Sequence, residues 1–313
     1  MKAMFGTERH AKGISGVDLV RIVALSILAA GIGWRAIPVA AQQPGQKTFS
    51  SAVEASKNLV EALKANDPAA LLSILGPGAK DILSSGDAAE DKNDRADFVQ
   101  KYQQMHRLVN EPDGNTTLYI GAENWPTPIP LVQKDRAWYF DTSAGKREIL
   151  YRRIGKNELA VIQLCHELVD AQKEYFAKPH DGDPGKHYAE KLYSDPNKHN
   201  GLYWKPVSGE GESPIGPLVA SAAEGDTNEA SRKPQPFMGY YFRLLTGKEA
   251  NASGDSQGFA FLAYPAEYRS SGVKTFIVNQ DGVVYEKDLG RRTAEIEKTI
   301  AQYNRDATWR KAE

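Results

Sequence analysis

Lys274-Thr275-Phe276-Ile277-Val278-Asn279-Gln280-Asp281-Gly282-Val283-Val284-Tyr285-Glu286-Lys287 is the stretch that decides the fold. Two runs of β-branched and aromatic residues flank Asp281-Gly282, the strongest short hairpin signal in the chain. They predict strands over Lys274–Asn279 and Val283–Lys287, joined by a type I′ turn in which Gly282 supplies the positive φ. Phe276, Val278 and Val284 alternate with Thr275, Ile277 and Val283, so both faces carry apolar groups and at least one needs a cover.

Working outward, Gly239–Leu245 and Gly258–Tyr264 complete a four-stranded antiparallel sheet. Its cover is the longest helical pattern, Glu148–Phe176. Leu159, Ile162, Cys165 and Val169 fall on one face, and Val161, Leu164, Leu168 and Tyr175 on its neighbour. So broad a stripe predicts burial against two partners, and hence a helix shared between the halves of the chain. Thr293 is expected to cap a closing helix through Ile296, Ile300 and Tyr303. Residues 183–230 are rich in Gly, Pro, Ser and Asn and too long for an ordinary loop, which predicts a functional or partly mobile insertion. In Tyr240-Tyr241 one ring should be core and the other face outward.

Upstream, Phe49, Ala52, Val53, Leu59, Val60 and Leu63 form the apolar stripe of a helix from about Ser50 to Ala65. Asp67 as N-cap and Pro68 at the first helical position start a second, through Leu75. Ser84–Arg95 reads as a polar loop and Ala96–Leu108 as a helix bearing Phe98, Tyr102 and Met105. Thr117–Ile120, Ile129–Gln133 and Ala137–Phe140 then read as a meander. The fold class is α+β: helices plus an antiparallel meander over 42–150, then a long helix packed on an antiparallel sheet over 151–313.

The first 41 residues read as an address. Lys2, Arg9, Lys12 and Arg21 precede the uncharged run Ile22–Trp34, and Val39-Ala40-Ala41 precedes Gln42. Basic, apolar and small-residue regions in that order are a signal peptide, cleaved after Ala41. At about 1.5 Å per residue the run is short of the ~30 Å bilayer core that a retained anchor must cross. The expected location is periplasmic or secreted, with no membrane span after processing.

Residues 1–41 hold five of the 39 basic and two of the 40 acidic residues. The mature chain therefore has 34 against 38, a formal charge of −4. Such a surface argues against a nucleic-acid partner. Cys165, the single cysteine, allows no internal disulfide and reads as an inert core residue.

Three segments carry a family resemblance: Trp138-Tyr139-Phe140-Asp141-Thr142 with Gly145, Arg152 to Glu158, and Thr275 to Gly290. They resemble the bacterial exported family named domain of unknown function 2950, over about Phe49 to Tyr303. The resemblance implies an envelope or secreted protein and brings no reaction, cofactor or catalytic residue with it. Asn157-Glu158 opening a long helix, with Gly239-Tyr240-Tyr241-Phe242 and Thr275-Phe276-Ile277-Val278, looks like the globular part of pilins and pseudopilins. The helices and meander ending in Trp138-Tyr139-Phe140-Asp141 resemble the cone-shaped nuclear-transport-factor-2-like superfamily.

Candidate chemistry is sparse. Arg152, Arg153 and Glu158 suggest an anion clamp or ordinary salt links. Tyr102, His106, Trp138 and Asp141 would line a pocket if the first domain were an enzyme, a hydrolase or isomerase. His180, His187 and His199 with Asp181 and Asp183 match no zinc spacing and read as a solvated polar loop. No metal ligand set and no cofactor motif is read from the sequence. The expected function is a non-enzymatic binding or structural module whose partner is an envelope protein or a surface ligand.

Overall fold

The computed structural model describes residues 42–84, 86–206, 211–223, 234–246 and 258–312. Residues 1–41, read from the sequence as a signal peptide, and parts of the insertion lie outside the described residues. The class is α+β, and the chain divides into two compact units between Tyr151 and Arg152.

In the first unit, helices α1 (Ala52–Lys64), α2 (Pro68–Leu75), α3 (Lys80–Leu83) and α4 (Ala88–Gln104) precede five antiparallel strands. These are β1 (His106–Asn110), β2 (Thr116–Ile120), β3 (Trp125–Pro126), β4 (Leu131–Lys134) and β5 (Ala137–Phe140), ordered β1-β2-β4-β5 with β3 on β2. Asp67 caps α2 by accepting the Ala69 and Ala70 amides, both at 3.0 Å, with Pro68 at the first turn. Phe49, Leu59, Leu63, Leu71, Phe98, Leu118, Leu131 and Phe140 share one core. Val53, placed on that stripe by its spacing, is 52% exposed instead.

The expected loop and helix between 84 and 108 are shifted. Asp87 accepts the Ala89 and Glu90 amides and starts α4 at Ala88. Its inner face buries Asp91, Asp94 and Arg95, and the Arg95 guanidinium donates to Asn66 Oδ1 and to Leu83 O. A helix whose buried face is charged has no apolar period to betray it. At its other end Met105 is extended, and His106–Asn110 pairs with β2 rather than continuing the helix.

Helix α5 (Thr142–Ala177) starts six residues before the apolar pattern, capped by Asp141, whose Oδ1 accepts the Ala144 amide at 2.9 Å. The second unit adds β6 (Lys191–Tyr193), β7 (Gly201–Tyr203), α6 (Pro217–Ser221), β8 (Tyr240–Thr246), β9 (Phe259–Pro265), β10 (Lys274–Asn279), β11 (Tyr285–Asp288), α7 (Thr293–Ile296) and β12 (Arg310–Lys311). The sheet order is β12-β11-β10-β9-β8, antiparallel throughout, so a short fifth strand joins the four expected.

Both sheet faces are covered. Phe242, Phe261, Phe276 and Val278 share a core with Val161, Leu164, Cys165, Leu168 and Val169 of α5. Leu262, Tyr264 and Ile277 form the opposite layer with Trp309. Tyr240 is therefore buried on the first face, while Tyr241 is half-buried on the second rather than facing outward.

Three further expectations are corrected. The two apolar faces of α5 enter one core, with Leu159 left 47% exposed. Leu192, Leu202, Trp204, Ile215 and Ala220 of the insertion join that core, which accounts for the width of the stripe and gives the insertion a packed interior. At the hairpin, Gly282 N donates to Asn279 O at 2.9 Å, but of Asp281 and Gly282 only Gly282 (φ 75°) is left-handed. That is the three-residue arrangement of an ordinary turn followed by a left-handed glycine, not the I′ turn. The closing helix is a single α turn between 3-10 turns; Thr293 lies inside it and its hydroxyl donates to Gly290 O at 2.6 Å.

Candidate functional site

Helix α5 ends beside a cleft of about 490 Å³ lined by Tyr175, His180, Asp181, Asp183, His187, Asn197, Lys198 and Asn200, all of the second unit. Its two imidazole-bearing positions, His180 and His187, belong to the stretch read from sequence as a solvated polar loop. Asp181, Asp183 and Asn197 are exposed and Asn200 is half-buried, but the loop is built around a buried residue.

That residue is Tyr175, in the last turns of α5. Its hydroxyl donates to His199 O at 2.6 Å, and its ring stacks on His180 at 3.7 Å, 11° from parallel. The His187 ring meets it edge-on at 6.0 Å. Burial, with Asp181 and Glu190 adding to it, pushes the phenol up to about 12. Tyr175 therefore acts as a fixed neutral post.

Proline at 179 cannot continue the helix, and His180 Nε2 lies 2.9 Å from Tyr175 O. A carbonyl only accepts, so Nε2 carries the hydrogen and satisfies one of the carbonyls a helix end leaves open. The chain then reverses: Asp183 N donates to His180 O at 3.0 Å, with Asp181 (φ 52°) and Gly182 (φ 80°) both left-handed. This is the I′ pattern, found at the Asp-Gly pair that was not singled out. The turn fixes Asp181, whose carboxylate accepts the His199 backbone amide (2.8 Å) and His199 Nδ1 (3.0 Å).

The opposite wall is the connection 194–200. Strands β6 and β7 are parallel, a pairing that ordinarily requires a crossover of a dozen or more residues. Here the closure is local. Asp195 N donates to Asn200 Oδ1 at 3.0 Å, Asn200 Nδ2 returns a bond to Asp195 Oδ2 at 2.9 Å, and Lys191 Nζ holds Asp195 Oδ1 at 2.7 Å. A side chain at Gly201 would come within 2.6 Å of Ser194 N, so the strands can approach only there. This pinched loop holds up Asn197 (φ 60°) and Lys198. Gln172, fully buried on α5, clamps Ala189 through both its amide oxygen (2.9 Å) and nitrogen (3.0 Å), tying the wall to the helix.

The residues singled out earlier have structural partners. Glu158 accepts the Val273 and Lys274 amides at 2.8 and 2.9 Å, and Arg153 donates to Ser270 O at 3.1 Å, so both hold the segment leading into β10. Arg152 lies half-buried on the same helix. In the first unit Tyr102 and His106 come together, rings stacked at 3.8 Å, with His106 Nδ1 2.9 Å from Tyr102 O. Trp138 instead pairs its backbone with Phe49, and Asp141 is the cap of α5. Sequence reasoning missed Tyr175, Gln172 and the 194–200 loop. Tyr175 was counted only as core, and the Asp195…Asn200 pair is a signal legible only once the strands are known to meet.

Among the described residues no group of three or more His, Cys, Asp or Glu is placed to hold a metal ion. Among them, too, no helix is long and apolar enough to cross a membrane. A family model described as protein of unknown function (DUF2950) matches residues 46–312, and the chain belongs to that family. No curated protein and no solved structure matches it, so the pilin-like and nuclear-transport-factor-2-like resemblances remain expectations from the sequence.

Proposed function

We propose that this member of the DUF2950 family is an exported envelope protein that binds a ligand through the cleft at the end of α5. The observation that carries the reading is the construction of that cleft. A buried tyrosine, a buried glutamine and a cross-bonded loop hold exposed polar side chains in fixed places. Side chains already held in place before a ligand arrives are preorganised, which lowers the cost of ordering them on binding. Export rests on the basic, apolar and small-residue order of residues 1–41. The enzymatic alternative in the first unit draws no support from Asp141 or Trp138, whose roles are a helix cap and a strand bridge.

Lys198 is exposed and its ammonium belongs to the cleft, so Lys198→Ala tests the reading without touching a core. The mature protein should sediment with isolated cell envelopes, and Lys198→Ala combined with His187→Ala should leave most of it in the supernatant at an unchanged melting temperature. Equal sedimentation of the two proteins would overturn the cleft as the binding site.

A further inference from the structure

The chemistry of the cleft also indicates what it takes. Its charged lining is two carboxylates, Asp181 and Asp183, against one ammonium, Lys198. A free phosphate or carboxylate would meet a wall of excess negative charge. A cation would be attracted, but the Asp181 carboxylate is already turned onto the His199 amide and imidazole. What remains is the Asp183 carboxylate, whose Oδ1 accepts the Gly185 amide at 2.8 Å and whose Oδ2 is left as an acceptor, the exposed Asn197 amide, which both donates and accepts, and the Lys198 donor. Hydroxyl groups both donate and accept, so a run of adjacent hydroxyls fits such a set where an ion of either sign does not. The cleft also offers a ring: His187, edge-on to Tyr175 and only half-buried, can lie against an apolar face of the ligand. A volume of about 490 Å³ is in the range that holds a small molecule.

We infer that the cleft binds a neutral, hydroxyl-rich ligand, a sugar unit of an envelope glycan, with Asp183, Asn197 and Lys198 on its hydroxyls and the His187 ring against its apolar face. This deepens the binding reading above and rests on it. The ligand is polar on its edges and apolar on one face, which is the pattern of a pyranose ring.

The test is titration calorimetry of the full mature chain with chitotriose, cellotriose and inorganic phosphate. Saturable binding of either saccharide is expected, and the preferred one says whether an acetamido group is read. Asn197→Gly removes the amide while allowing the left-handed backbone, and Asp183→Asn removes the charge; each should weaken binding about tenfold or more. His187→Ala should weaken it and His187→Phe, which restores a ring, should recover it, a contrast that a folding defect would not produce. Binding of phosphate with no binding of either saccharide would overturn the inference in favour of an anion site. Envelope sedimentation that depends on Lys198, with neither saccharide bound, would overturn it while leaving the binding reading in place. Loss of both would remove the two together.

Discussion

Cys165 is fully buried in the core between α5 and the sheet, and burial alone pushes its thiol from the usual 9.0 up to about 12. Tyr175 moves from 10.0 to about 12 and Tyr240 also rises, burial being the largest cause in each. All three are raised, so the folded state favours the protonated form. Their stabilising effect is complete below the unfolded values and is lost as pH climbs from about 9 towards the folded ones. The melting temperature followed by circular dichroism should therefore hold to about pH 9 and fall above it, with a shallower fall in Cys165→Ala. Parallel falls in the two proteins would contradict this account of Cys165. That this cysteine is core was legible from its place in a helical apolar pattern. The work of Glu158 was not, because its partners are backbone amides more than a hundred positions away in sequence, and nothing about residues 273 and 274 marks them as donors in need of a carboxylate.

Helix α5 is the element on which the second unit depends. Val161, Leu164, Cys165, Leu168 and Val169 cover one face of the sheet, and Tyr175 and Gln172 anchor the cleft. A fragment of residues 152–313 keeps all of these and should unfold cooperatively. A fragment of residues 180–313 loses them, leaving Phe242, Phe261, Phe276 and Val278 uncovered, and should fail to show a thermal transition. A cooperative melt from the shorter fragment would mean that the sheet and its C-terminal layer suffice. The strands of this unit were legible to within a few residues because β-branched and aromatic runs between turn residues are a local signal. Helix α4 and strand β1 were not. The helix hides its period behind buried Asp91, Asp94 and Arg95, and the strand exists because β2 pairs with it.

At the scale of the whole molecule, the sequence made the class readable and left the cleft unread. The antiparallel sheet and long helix follow from periodicity, whereas the cleft depends on contacts between the end of α5, an Asp-Gly turn and a loop that closes two parallel strands. Those contacts join the end of a legible helix to residues 180–204, most of which belong to the stretch whose composition suggests only an irregular segment. Its hydrophobic members Leu192, Leu202 and Trp204 belong to the core, which the composition of the segment does not announce. The most direct measurement follows the protein in its native host. After osmotic shock and washing, the wild-type chain should begin at Gln42 and remain with the envelope, while the His187→Ala, Lys198→Ala double variant should also begin at Gln42 but be released in soluble form. A wild-type chain that keeps Met1, or a double variant distributed as the wild type is, would contradict the account.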